Sequence, residues 1–156
     1  MKWKKNDGGR KKAGYKGKAG DCGVRAISIA TGKEYQEVYD RLTELKKKYI
    51  KNRNTKKAKW YRGKKSRCKT ARYGMPKDVF EEYLVEELGW KWKPTMKIGS
   101  GCQVHLREGE LPEEGIIIAR LSGHFCAIID GVIQDTYDPS REGTRCVYGY
   151  WFNKNN

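Results

Sequence analysis

The period of the apolar residues changes near Trp90, and that change limits the possible folds more than any other feature of the chain. Before it, Tyr35, Val38, Tyr39, Leu42, Leu45 and Tyr49 recur at helical spacing with charged residues between them, which marks one face of an amphipathic helix. A shorter helix is expected just upstream. Asp21 stands as its N-cap, Cys22, Val24, Ala26, Ile27, Ile29 and Ala30 form its body, and Thr31-Gly32 stops it, as a left-handed C-cap would. A third helix is bracketed by Pro76 and Gly89 and carries the stripe Val79, Phe80, Tyr83, Leu84 and Leu88, since Pro suits a first turn and Gly an end. From Trp90 onward the segments read as strands: Trp90–Met96, Gln103–Leu106, Gly115–Leu121, His124–Asp130, Val132–Asp138 and Cys146–Phe152, separated by Gly, Pro and acidic turns. Helices first and strands second predict an α+β fold, with N-terminal helices packed on a C-terminal antiparallel sheet.

A chain of 156 residues is one ordinary domain. No apolar run approaches the roughly 20 residues of a spanning helix. Met1-Lys2-Trp3-Lys4-Lys5 lacks the apolar stretch of a secretory signal, so a cytoplasmic protein is expected. Cys22, Cys68, Cys102, Cys126 and Cys146 are odd in number and include no C-x-x-C pair. In a reducing compartment they are expected to be free thiols. Cys102 and His105 have ligand-like spacing, but a tetrahedral zinc site needs a second close pair, and the sequence has none. Neither a metal nor a cofactor is expected.

Charge is distributed unevenly. The net charge is +15, yet residues 1–72 hold 25 Lys/Arg against 6 Asp/Glu, so the whole excess is N-terminal. Residues 1–19 are rich in Lys and Gly without apolar periodicity and read as a basic flexible arm. Lys46 to Arg72 holds 14 Lys/Arg and no acid, with Tyr49, Trp60 and Tyr61 interleaved. Such a run is either a solvated, self-repelling extended loop or a surface for nucleic acid or another polyanion, with aromatics available for stacking on bases.

Two blocks carry chemistry. Gly20-Asp21-Cys22-Gly23-Val24-Arg25 places a thiol at a helix N-terminus, where unpaired N–H groups favour the nucleophilic thiolate and can receive an oxyanion beside it. The second block runs from Ser122-Gly123-His124 through Asp130-Gly131 to Asp135-Thr136-Tyr137-Asp138. Asp-Gly between apolar runs signals a hairpin. With a two-residue turn, paired residues have numbers summing to 261, which puts Asp135 opposite Cys126 and on the His124 face. A carboxylate there holds the imidazole and steadies the imidazolium. A bulged turn reverses the parity and brings Asp138 to His124, so Asp138 stands as the alternative. His105 falls within a strand, with no carboxylate partner indicated.

This order of residues resembles the papain-like cysteine peptidases: a cysteine opening an early helix, a histidine opening a late strand, and an acid or amide after a hairpin. Asp135-Thr136-Tyr137 looks like their Asn-Ser-Trp, in which the amide orients the histidine and the aromatic shields that contact. The two blocks together look like small papain-fold proteins of phages and bacteria. OTU-type deubiquitinases, which also carry an Asp shortly before the cysteine, are a neighbouring branch. The resemblance implies a papain-like domain over residues 20–156 with a basic insertion at about 46–72. It also implies cleavage of an amide or isopeptide bond in a protein or peptide substrate by a Cys22, His124 and Asp135 triad. The family's oxyanion-hole glutamine, six residues before the cysteine, is replaced by Lys16, which leaves Lys16, Lys18 or backbone amides for that role. A papain-fold acyltransferase would use the same three residues. A basic, nucleic-acid-associated protein with an inactive papain-like fold is the reading from another class.

Overall fold

In the computed structural model, which describes residues 1–155, the helices lie on one face of a six-stranded sheet. In chain order the elements are β1 (Trp3–Lys5), α1 (Cys22–Thr31), α2 (Tyr35–Asn52), α3 (Lys56–Arg62), α4 (Lys77–Glu81), β2 (Lys91–Pro94), β3 (Ile116–Leu121), β4 (His124–Ile129), β5 (Val132–Asp135) and β6 (Gly149–Phe152). A π-helical turn, Glu82–Glu87, prolongs α4. The sheet order is β1-β5-β4-β3-β6-β2. The architecture is α+β, as the change of period predicts.

The sheet is mixed, however, because β1 joins β5 in parallel while every other pairing is antiparallel. Residues 1–19 are therefore not a detached arm. Trp3–Lys5 pair with Ile133–Asp135, and the following loop crosses α1 so closely that a Cβ on Gly8 would sit 3.0 Å from the Arg25 carbonyl oxygen. Gly8 also has φ of 67°, so only glycine fits this crossing without strain. Sequence periodicity misses β1 because three exposed residues carry no alternation.

The Asp130-Gly131 turn has two residues, both at positive φ (46° and 71°), the backbone of a type I′ hairpin. Ala127 pairs with Gln134, Ile128 with Ile133 and Ile129 with Val132, the register that sums to 261. The expected Gln103–Leu106 strand is reduced to a single bridge between His105 and Cys146. That bridge brings Cys102 and Cys146 together as a disulfide across 44 residues. This corrects the expectation of five free thiols: pairing depends on which loops meet in space, and spacing along the chain does not record it. Cys22, Cys68 and Cys126 are free.

Apolar side chains fill both faces of the sheet. On the helical face, Val24, Ile27, Phe80, Phe125 and Trp151 belong to one buried cluster, in which the rings of Phe80 and Phe125 stack with centroids 4.1 Å apart. The opposite face buries Ile117, Ile128, Ile133 and Tyr150 under Leu106 and Val147. Each fully buried side chain of this size contributes about 1.5–3 kcal/mol, which fixes the plane of β3 and β4 and with it the end of the sheet where His124 emerges.

The basic run is helical and packed, not extended. Lys46 is fully buried on α2, and its Nζ donates to the carbonyls of Cys68, Thr70, Tyr73 and Gly74 at 2.8–3.1 Å. Its ammonium also lies 4.2 Å from the Tyr61 ring centroid. Ala58 and Tyr61 anchor α3 on its buried side, and Thr55 caps it by accepting from the Ala58 N–H at 3.1 Å. The remaining cations of the run stay at the surface, so one inward lysine organises a segment whose composition alone suggests none.

Candidate active site

Cys22 is the first residue of α1 and half-buried. The first N–H groups of any helix lack a carbonyl behind them, so the Cys22 sulfur stands beside unpaired backbone donors. Gly23 follows it with no room for a side chain: a Cβ there would come within 3.3 Å of the Phe80 ring. Close packing of α1 on α4 thus sets where the thiol projects. It projects into a cleft of about 420 Å³ that it shares with Ser122, His124, Met75 and Tyr148.

His124 opens β4 immediately after the Ser122-Gly123 turn and is 7% exposed. Its Nε2 lies 2.6 Å from Asp135 Oδ2, and Cys22, which lines the same cleft, also acts on the ring. Burial alone would lower the basicity of the imidazole, but the bonds to Asp135 and Cys22 and their charges outweigh it and raise the pKa from 6.5 to about 9. The ring is therefore an imidazolium at neutral pH. Tyr137, half-exposed, covers it with ring centroids 5.3 Å apart.

The structure brings Cys22, His124 and Asp135 together and turns Asp138 away. Asp138 accepts from the Ser140 N–H at 2.9 Å and shapes the following turn. His105 has a partial carboxylate partner in Glu110, 3.4 Å from Nδ1, a contact that its sequence neighbourhood did not indicate. Neither Lys16 nor Lys18 lines the cleft. The Lys16 carbonyl instead accepts from the side chains of Arg10 and Arg72, which leaves the α1 amides as the donors available beside Cys22.

One participant escapes sequence reading. Arg25, 7% exposed, donates from Nη1 to Asp135 Oδ1 at 2.7 Å and to Thr136 Oγ1 at 2.8 Å, and from Nε to Asp21 Oδ1 at 3.2 Å. Burial opposes its charge, but Asp21 and Asp135 hold it. Asp21 occupies the N-cap position without making a capping bond, a correction to its expected role. Its carboxylate accepts from Tyr35 Oη at 2.6 Å and pairs with Arg10 at 2.9 Å, because a buried arginine is a stronger claim on a carboxylate than an amide. The N-terminal segment completes the frame: Asn6 donates from its backbone N–H to the Asp135 carbonyl at 2.8 Å and from Nδ2 to Gln134 at 3.2 Å.

Chemically, the arrangement supplies a nucleophile, a proton carrier held by a carboxylate, and backbone donors beside the nucleophile. Among the described residues no group of three or more His, Cys, Asp or Glu side chains is placed to hold a metal ion, and no helix is long and apolar enough to cross a membrane. Comparison with family models, curated proteins and solved structures finds no match to this chain, so its chemistry is read from this geometry.

Proposed function

We propose that the chain is a papain-like thiol hydrolase that cleaves an amide or isopeptide bond through Cys22, His124 and Asp135. The observation that carries this reading is the buried His124 imidazole, held by Asp135 and sharing the wall of an open cleft with Cys22. The Cys22 thiolate adds to the carbonyl carbon, and the oxyanion faces the α1 amides. His124 gives its proton to the departing amine, which breaks the C–N bond and leaves a thioester. Neutral His124 then takes a proton from one water. The hydroxide displaces the sulfur, which releases the acid and restores thiolate and imidazolium. Asp135 stays ionised throughout and holds the ring.

Alkylation tests the reading. Brief exposure to iodoacetamide at pH 6, followed by peptide mapping, is expected to label Cys22 well ahead of Cys68 and Cys126, and His124→Ala is expected to slow that labelling by at least tenfold (about 1.4 kcal/mol). Labelling of Cys68 first, or an unchanged Cys22 rate in folded His124→Ala, refutes it.

A further inference from the structure

The cleft that holds Cys22 and His124 carries charges of one sign only. Lys57, Lys77 and Arg120 line it, and no Asp or Glu does. Lys77 is engaged elsewhere, with Nζ 3.1 Å from Glu81 and 4.6 Å from the Trp92 ring centroid. Lys57 and Arg120 have no ion-pair partner among the described residues. They come from separate elements, Lys57 from α3 and Arg120 from β3. Arg120 is half-buried and held in place by Tyr148, with its guanidinium carbon 5.7 Å from that ring's centroid. Met75, Leu121 and Phe125 add apolar surface to the lining, and low-dielectric surface strengthens the field of cations at a cleft.

Two uncompensated cations in the cleft of Cys22, with no acid to repel an anion, select a negatively charged occupant. We propose that the substrate of this site is an acidic peptide segment, with Asp or Glu side chains flanking the bond cleaved and paired with Arg120 and Lys57. The proposal rests on the hydrolase reading above, and that reading favours a peptide over a nucleic acid: the Cys22 sulfur needs an acyl carbon within reach, which a phosphodiester does not offer. It also gives the basic run a role, since α3 extends the cationic surface outward from Lys57 through Lys56 and Lys59.

Three N-acetyl tripeptidyl chloromethyl ketones test it, alike except for two Glu, two Gln or two Lys residues ahead of a common glycine. In each, the Cys22 sulfur displaces chloride and forms a thioether, read by intact mass. Labelling by the Glu probe is expected to be about tenfold faster than by the Gln probe at low salt, with the Lys probe slowest and the preference lost in 1 M NaCl. Arg120→Gln with Lys57→Gln is expected to bring the Glu and Gln probe rates together, read as the ratio of the two rates within the variant so that any general change in Cys22 reactivity cancels. Fast iodoacetamide labelling with equal rates for the three probes overturns the acidic-substrate inference alone. Slow iodoacetamide labelling overturns the hydrolase reading and the inference with it. Protection of Cys22 from the Glu probe by a single-stranded oligonucleotide, at concentrations where a poly-Glu peptide gives none, assigns the cleft to nucleic acid and likewise overturns it.

Discussion

Raising the pH from 6 to 10 perturbs the site with no change of sequence, and the size of the response follows from His124. In the folded chain the imidazole holds its proton to about pH 9, against 6.5 when exposed. Because the folded value is the higher one, folding is favoured most when both states are protonated, below about 6.5. The advantage is lost as the pH rises through 9, when the folded ring also gives up its proton. The interval between 6.5 and about 9, at 1.36 kcal/mol per tenfold, amounts to about 3 kcal/mol. The ring is almost wholly buried, so solvent screening takes little from that figure. Urea unfolding at pH 6, 7.5 and 9 reads it as a difference: the wild type is expected to lose about 3 kcal/mol more than His124→Gln over this range, since other titrating groups are common to both. The ring proton resonances give the same titration directly, and with only two histidines in the chain a single variant assigns them. Parallel pH profiles for the two proteins, or a His124 resonance that titrates near 6.5, would show that Asp135 and Cys22 do not hold the imidazolium.

Replacing Arg25 by Met leaves Asp21 and Asp135 buried without their shared cation and is expected to cost about 3–5 kcal/mol at pH 7; a change in the urea midpoint equivalent to less than 1 kcal/mol would deny Arg25 that role. Gly149→Ala places a Cβ 2.3 Å from the Trp92 ring and 2.7 Å from the Lys93 carbonyl oxygen. It is expected to push β2 off β6 at a cost of about 1–3 kcal/mol, seen as altered fluorescence of the Trp92 and Trp151 pair, and unchanged fluorescence and stability would contradict the close approach.

What the sequence makes legible is local. The hairpin at Asp130-Gly131 is legible because Asp-Gly favours a two-residue turn; the sequence leaves a bulged turn, and with it Asp138, open, and the observed two-residue register decides between them. The juxtaposition of His124 and Asp135 comes with that register. Helix α1 was readable from its apolar positions and its Thr31-Gly32 stop, where Gly32 has φ of 73°. Contacts between distant segments leave no such trace. Trp3–Lys5 become a strand only because β5 offers a free edge. Lys46 is inward only because four carbonyls from residues 68–74 converge on it. In both cases the partners lie far away in sequence, and for Lys46 they bury a charge that hydropathy assigns to the surface.

Arg25 is the most consequential of these hidden residues, because it accounts for how Asp135 is held. The carboxylate has two oxygens and uses them differently: Oδ2 faces His124 at 2.6 Å, and Oδ1 faces Arg25 at 2.7 Å and the Thr136 N–H at 2.7 Å. The carboxylate plane is therefore fixed from both edges, and the imidazole is fixed with it. Guanidinium does not titrate in this range, so when His124 loses its proton Asp135 keeps one cationic partner and is never a lone buried charge. Asp21 does the same for Arg25 from the other side, and Tyr35 and Arg10 in turn secure Asp21. Sharing Asp135 with Arg25 also limits how strongly the carboxylate can hold the imidazolium, because part of its charge is already answered. Removing Arg25 in a chain that still folds should then raise the His124 pKa above its present value of about 9, a direction opposite to the loss that follows from removing Asp135.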